Sequence, residues 1–109
     1  MKVYALPAEA SLAQARALET EIDAAVAAAD ATGLCIDASA LADFDTSAIA
    51  LLLHARRAAA ARAVPLALRS LPVKLRELAR LYGVQSLLPV QRDGDADITA
   101  SGQVPAGPA

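Results

Sequence analysis

The sequence predicts an α/β domain built on a largely parallel sheet, and two observations lead to that fold class. Short apolar segments bounded by Gly, Pro or polar residues alternate with longer segments in which large apolar residues recur every three or four positions. The chain therefore alternates strands with amphipathic helices, and helices of this length between strands imply crossover connections and parallel pairing. A length of 109 residues fits one such domain.

The first half of the chain supplies two predicted strands and one helix. Residues 2–6 form a short, partly β-branched strand. A helix is predicted from Ser11, a suitable N-cap, to about Ala31, and Gly33 is a suitable stop. Residues 34–37 form a buried central strand, because this segment is apolar without alternation.

The second half continues the same pattern and then changes in composition. A loop over residues 38–44 is followed by a helix that residues 45–47 open and that runs to about Ala63, and then by a strand over residues 65–69. Ser70 is the expected cap of a third helix, which runs from near Pro72 to Gly83. A short last strand is predicted within residues 84–90. From residue 91 onward the chain is rich in Asp, Gly, Ser and Pro and has too little apolar surface to order itself. We predict a folded domain over residues 1–90 and a disordered tail over residues 91–109.

The composition excludes several classes of function. Aromatic residues make up 3% of the chain and the formal net charge is −2, which argues against nucleic-acid binding by stacking or by phosphate contacts. Cys35 and His54 are the only cysteine and histidine, so neither an internal disulfide nor a Cys-rich zinc site is expected. The sequence contains no secretory signal and no apolar run long enough to span a bilayer. We expect a cytoplasmic protein without metal or cofactor and without membrane insertion.

Three residues suited to capping, Asp45, Thr46 and Ser47, stand at the start of the second helix. In one interpretation Asp45 or Thr46 caps the helix and the others fill its first turn. In the other interpretation, one of the hydroxyl groups is exposed at the helix start, where the unpaired backbone N–H groups of the first turn favour binding of an anion. A phosphate there would add nearly two negative charges and change any interface on that surface. His54, about two turns further on, either shares this face and contacts a partner or is a solvated helix residue.

Carboxylates around the same loop suggest a rival interpretation as an enzyme. Asp37, Asp43 and Asp45 could bind a cation or act as a catalytic pair, although capping and loop hydrogen bonds are more common roles for such residues. A small hydrolase would use Asp37, Asp45 and His54. A single histidine is a weak basis for such a site, so we predict a protein that is not an enzyme.

The segment around this helix start carries a recognisable motif. Leu34-Cys35-Ile36-Asp37, Leu41 and residues 44–53 form an apolar strand ending in Asp, a short loop, an Asp-Thr-Ser motif and an apolar helix. This pattern resembles the STAS domain family, the anti-sigma-factor-antagonist-like domains that also occur at the ends of sulfate transporters. Ala48 stands where that family usually has Gly. The resemblance continues through Arg56-Arg57, Val64-Pro65-Leu66 and residues 81–88.

The resemblance implies a fold and a kind of function. It implies a mixed sheet of four or five strands covered by helices, and a non-enzymatic binding module. It places Thr46 at the position that a kinase phosphorylates in the sporulation-type antagonists, with Asp45 as the acidic residue before it. The runs over residues 51–57, 71–72 and 78–89 look most like the cytoplasmic STAS subunit of Mla-type phospholipid ABC transporters.

Two functions follow as hypotheses from the resemblance. In the Mla-type branch the domain binds the ATPase subunit and supports its assembly and activity, and the residue matching Thr46 contributes to the contact. The alternative is an anti-sigma factor antagonist that binds a serine kinase and is switched by phosphorylation at Thr46; a STAS module of another signalling complex is a third interpretation. We expect Asp45, Thr46, Ser47 and His54 to contact the partner, and an isolated domain could pair with itself.

Overall fold

The structure is a computed structural model and describes residues 1–91. Apart from Gln91, the predicted disordered tail over residues 91–109 lies outside the described residues. The elements are, in chain order, β1 (Lys2–Ala5), β2 (Glu9–Ala10), α1 (Leu12–Ala28), β3 (Leu34–Asp37), β4 (Asp43–Phe44), α2 (Thr46–Ala61), β5 (Leu66–Arg69), α3 (Val73–Leu81), a 3₁₀ turn (Gln85–Leu87) and β6 (Val90–Gln91).

The main sheet has four strands in the order β1-β3-β5-β6, and each neighbouring pair is parallel. Every crossover therefore moves one strand in the same direction. Right-handed crossovers of this kind place all three helices on one face. Within that layer α1 packs against α2, and α2 packs against α3. The predicted fold class is confirmed, with β3 as an internal strand whose Leu34, Cys35 and Ile36 are buried.

A second, two-stranded ladder pairs β2 with β4 in parallel. The backbone N–H groups of Ala42 and Asp43 both donate to the carbonyl oxygen of Ala8, each at 2.9 Å. The sequence predicts only a loop in residues 38–44, because two-residue strands are too short to leave a periodic pattern. This ladder joins the segment before α2 to the segment before α1.

The end of α1 differs from the prediction by three residues. The helix ends at Ala28, and Ala29 already has extended backbone with φ −76° and ψ 155°. Gly33, at φ 99°, lies in the turn that enters β3 rather than at the helix end. Its N–H donates to the carbonyl oxygen of Asp30 at 3.0 Å, which closes that turn.

The predicted cap of α3 is wrong, whereas its predicted end is confirmed. Pro72 occupies the N-cap position, and Ser70 lies two residues earlier with φ 60°. At the other end Gly83 has φ 72°. The N–H of Val84 donates to the carbonyl oxygen of Ala79 at 2.9 Å, the arrangement in which a left-handed glycine closes a helix.

The core lies between the sheet and the helical layer and draws on all three helices. Its largest fully buried side chains are Ile22, Leu34, Ile36, Leu52, Leu68 and Leu75. Cys35 is buried in β3 as predicted. None of the helices within residues 1–91 has the length and apolar character needed to cross a bilayer.

Candidate functional site

The start of α2 is capped by Asp45, which decides between the two capping residues that the sequence allowed. One carboxylate oxygen, Oδ1, accepts a hydrogen bond from the backbone N–H of Ser47 at 2.8 Å. The other, Oδ2, accepts from the backbone N–H of Leu12 at 3.2 Å. The N–H of Ser47, and then that of Leu12, hold the pKa of the Asp45 carboxyl below its usual range, because both bonds favour the ionised form.

One carboxylate therefore joins the amino-terminal ends of two helices. The start of α1 is closed separately by Gln14, whose Oε1 accepts from the backbone N–H of Ser11 at 2.9 Å and from its Oγ at 2.6 Å. The side chain of Leu12 is left 75% exposed beside this junction. The two helix starts thus form one fixed surface at the edge where β3 ends.

Thr46 is the first residue of α2 and is exposed. Among the hydrogen bonds within residues 1–91, none involves its hydroxyl. It lies at a shallow, mostly apolar groove of about 300 Å³, the Thr46 groove, which is lined by Thr46, Ile49, Ala50, Leu53, Tyr82 and Val84. The hydroxyl is accordingly available to a partner, because Asp45 already performs the cap.

The structure brings Asp45, Thr46 and Ser47 together but places His54 elsewhere. His54 Nε2 lies 2.8 Å from Asp23 Oδ1 of α1, with the two side chains 25% and 57% exposed. Leu53, and not His54, lines the Thr46 groove. The histidine therefore links α2 to α1 about two turns from Thr46. It lies seven positions after Ser47, so the two share the side of the helix that faces α1.

A second groove, which sequence reasoning missed, lies between β4 and α3. This β4–α3 groove has a volume of about 530 Å³, and its lining includes apolar Phe44, Leu78 and Leu81 and charged Asp43, Lys74 and Glu77. Apolar periodicity places Leu81 and Tyr82 with Leu78 in the apolar stripe of α3 and so predicts that they are buried, yet they are 76% and 57% exposed. No local signal marks this exposure, since Leu75, Leu78 and Leu81 recur every three residues on one side of α3, and the neighbouring elements decide which of them is covered.

The two carboxylates and the histidine of the rival hydrolase, Asp37, Asp45 and His54, each have other partners and do not form one site. Asp37 Oδ1 accepts from the backbone N–H of Ser39 at 3.0 Å and Oδ2 from Arg69 Nη2 at 3.2 Å, and these bonds, that of Ser39 first, lower its pKa. The Asp45 carboxylate accepts hydrogen bonds from the first turns of two helices, and His54 is hydrogen-bonded to Asp23. Within residues 1–91 no three His, Cys, Asp or Glu side chains are grouped so that they could hold a metal ion. Asp37 and Asp45 instead perform the loop and capping hydrogen bonds that were their alternative roles.

Fold and site together define a class: a small α/β module with an exposed helix start between two open grooves. Residues 4–89 match the family model described as "Mlab, STAS domain". The chain therefore belongs to the STAS domain family, as the motif at residues 34–53 predicts. None of the curated proteins with which it was compared matches it.

Solved structures of other proteins share the fold. The anti-sigma factor antagonist SpoIIAA in its unphosphorylated form is 19% identical, with a TM-score of 0.64 over 86% of this chain and 82% of that one. The Bacillus cell fate determinant SpoIIAA in the phosphorylated form is also 19% identical, with a TM-score of 0.60 over 86% of this chain and 85% of that one. At this identity the likeness concerns the fold.

Proposed function

We propose that the chain is a non-enzymatic STAS adaptor that binds the ATPase subunit of an Mla-type phospholipid ABC transporter in the cytoplasm and supports its assembly and activity. The observation that carries the proposal is the exposed Thr46, whose hydroxyl is released from capping by Asp45 and lies beside an apolar groove. The description of the matching family, "Mlab, STAS domain", supports the transporter branch.

The proposed contact surface is centred on Thr46, with Asp45 and Ser47 fixing the geometry of the helix start. His54 belongs to its far edge, where it would contact only a partner that extends across α2 to Asp23 of α1. No cofactor is needed for such a function, because recognition by this surface is a matter of shape, apolar contact and charge.

The second candidate is an anti-sigma factor antagonist switched by phosphorylation at Thr46. The likeness to SpoIIAA, of which a phosphorylated form is known, favours it. The N–H groups at the start of α2 would support a phosphate, whereas the adjacent carboxylate of Asp45 would oppose one. The two candidates share the surface and differ in the partner.

Affinity capture of the tagged full chain from its own cells, followed by binding measurements with the purified partner, separates the candidates. Recovery of an ABC-type ATPase together with its permease, and direct binding of that ATPase, is expected. Recovery of a small serine kinase that transfers phosphate to Thr46 would establish the antagonist instead. A chain that binds neither protein would contradict both candidates.

Substitution of Thr46 tests the surface itself. Thr46→Glu is expected to weaken ATPase binding at least about tenfold, because a partner seated on the Thr46 groove would have to desolvate the new carboxylate. Thr46→Ala is expected to change the free energy of unfolding by less than about 0.5 kcal/mol, since Asp45 provides the cap. Calorimetric titration measures the first effect and denaturant unfolding the second.

Thr20 offers a matched control, because it is an exposed threonine on α1. Thr20→Glu is expected to bind the ATPase as the unaltered chain does. Equal binding by Thr46→Glu would show that Thr46 is only the first residue of a helix.

A further inference from the structure

We infer that the β4–α3 groove receives an amphipathic helix of the partner protein, with apolar residues on one side and arginine or lysine residues along its flank. This inference rests on the proposed function, since it specifies a second segment of the same partner, beside the one that contacts Thr46. It concerns a different groove and different residues, so it can fail separately.

The floor and walls of the groove are suited to a helix. Lys74, Leu78 and Leu81 follow one another at spacings of four and three along α3, so they form a stripe on one side of that helix. Leu81 is 76% exposed, and Phe44 of β4 forms the opposite wall. A helical stripe that faces an apolar wall across open space is the arrangement into which a second amphipathic helix packs.

The charges of the groove specify the flank of the incoming helix. Asp43, Lys74 and Glu77 line the groove, and none of the three takes part in an ion pair within residues 1–91. Two carboxylates against one ammonium group leave the lining of the groove with an excess of negative charge. A basic flank complements these two carboxylates, whereas an acidic segment would be repelled by them.

The two grooves are lined by consecutive residues at the end of α3. Leu81 lines the β4–α3 groove, and its neighbour Tyr82 lines the Thr46 groove. Both of these side chains are more than half exposed. A partner that covers both Tyr82 and Leu81 would occupy both grooves, and the exposed Leu81 would supply an apolar contact of the kind that dominates protein interfaces.

The test uses two synthetic helical peptides and the isotopically labelled full chain. Both peptides carry a seam of leucines; one has arginine flanks, and the other has glutamate in place of every arginine. In NMR titrations the arginine peptide is expected to shift the amide signals of Phe44, Leu78 and Leu81 and to bind at least about fivefold more tightly than the glutamate peptide, since each rim charge pair contributes about two- to fivefold.

Charge reversal in the groove provides the internal control. The double variant Asp43→Lys with Glu77→Lys is expected to lose or invert the preference for the arginine peptide, whereas Glu19→Lys, on the exposed surface of α1, keeps it. Equal affinities for the two peptides, or shifts confined to residues outside the groove, would overturn the inference.

Binding of the ATPase by the same variants separates this inference from the proposed function. If Thr46→Glu abolishes ATPase binding and the double variant does not, the groove inference is wrong and the proposed function stands. If the arginine peptide binds in the groove with the expected charge preference but the ATPase does not bind the chain, the inference stands and the proposed function is wrong. Loss of ATPase binding in both variants supports both.

Discussion

Asp45 determines what its neighbour can do. Because its two carboxylate oxygens accept from Ser47 of α2 and Leu12 of α1, the starts of two helices depend on one side chain. Thr46, which has comparable capping chemistry, is thereby left exposed at the first position of α2. The proposed partner surface therefore depends on Asp45 capping the helix while Thr46 keeps its hydroxyl exposed.

Replacement of Asp45 should destabilise the fold in a manner that depends on pH. Asp45→Ala removes both hydrogen bonds and is expected to lower Tm by roughly 4–8 °C at neutral pH, as loss of a helix cap does. Asp45→Asn keeps one acceptor oxygen and is expected to lose less. Thermal unfolding by circular dichroism measures both.

The pKa of Asp45 is lowered in the folded chain, so its stabilising effect is complete above the unfolded pKa of about 3.9 and is lost as pH falls through the folded pKa. The Tm deficit of Asp45→Ala should therefore be constant above about pH 5 and shrink at more acidic pH. A deficit that stays the same down to pH 2 would show that the charge of the carboxylate is not involved.

At the scale of the elements, the carboxyl-terminal ends of α2 and α3 have the same backbone arrangement but different residues. In α3 the left-handed position is Gly83, at φ 72°; in α2 it is Ala63, at φ 56°. The N–H of Val64 donates to the carbonyl oxygen of Ala59 at 2.9 Å, as that of Val84 does to Ala79. The Cβ of alanine is sterically strained in this left-handed conformation, whereas glycine has no Cβ.

Ala63→Gly is therefore expected to raise the free energy of unfolding by about 0.5–1 kcal/mol. Ala60→Gly, at an exposed position inside the same helix, is the control and is expected to lower it by about 1 kcal/mol. Urea unfolding of the two variants gives both values, and destabilisation by Ala63→Gly would contradict the assignment of a left-handed cap.

The turn before β3 requires glycine for a second reason. At Gly33, φ is 99° and a Cβ atom would lie 2.6 Å from the carbonyl oxygen of Pro65, whereas at Gly83 a Cβ would have no atom within 4 Å. Gly33→Ala is expected to cost about 2 kcal/mol or more, and Gly83→Ala about 1 kcal/mol, since only the first adds a clash with backbone. Similar losses in denaturant unfolding would refute the difference.

At the scale of the whole molecule, a single helical layer divides the leucines into two classes. Leu52 of α2 is fully buried between the helices and the sheet, whereas Leu81 of α3 is 76% exposed at the proposed interface. The first kind stabilises the fold and the second is available to a partner.

Leu52→Ala is accordingly expected to lower the free energy of unfolding by about 2–5 kcal/mol. Leu81→Ala should change stability by less than about 0.5 kcal/mol and weaken ATPase binding. Val73→Ala, an exposed apolar position of α3 outside both grooves, is the control and should alter neither property appreciably. Strong destabilisation by Leu81→Ala would place that side chain in the core.

The sequence by itself determined the order of the main strands and helices, the central position of residues 34–37 and the cap-rich start of α2. These features depend on apolar periodicity and on hydrogen bonds between residues a few positions apart, so they can be predicted from one sequence. The sequence also placed Asp45 and Thr46 together, but it left open which of them caps the helix.

Tertiary structure decided how distant segments meet. The bond between Asp45 and Leu12 joins residues 33 positions apart, the pair His54–Asp23 joins residues 31 apart, and the β2–β4 ladder connects two loops. The exposure of Leu81 likewise depends on how α3 lies against its neighbours. Such contacts arise only when the crossovers bring separate elements side by side, because no local pattern records the position of a residue thirty places away.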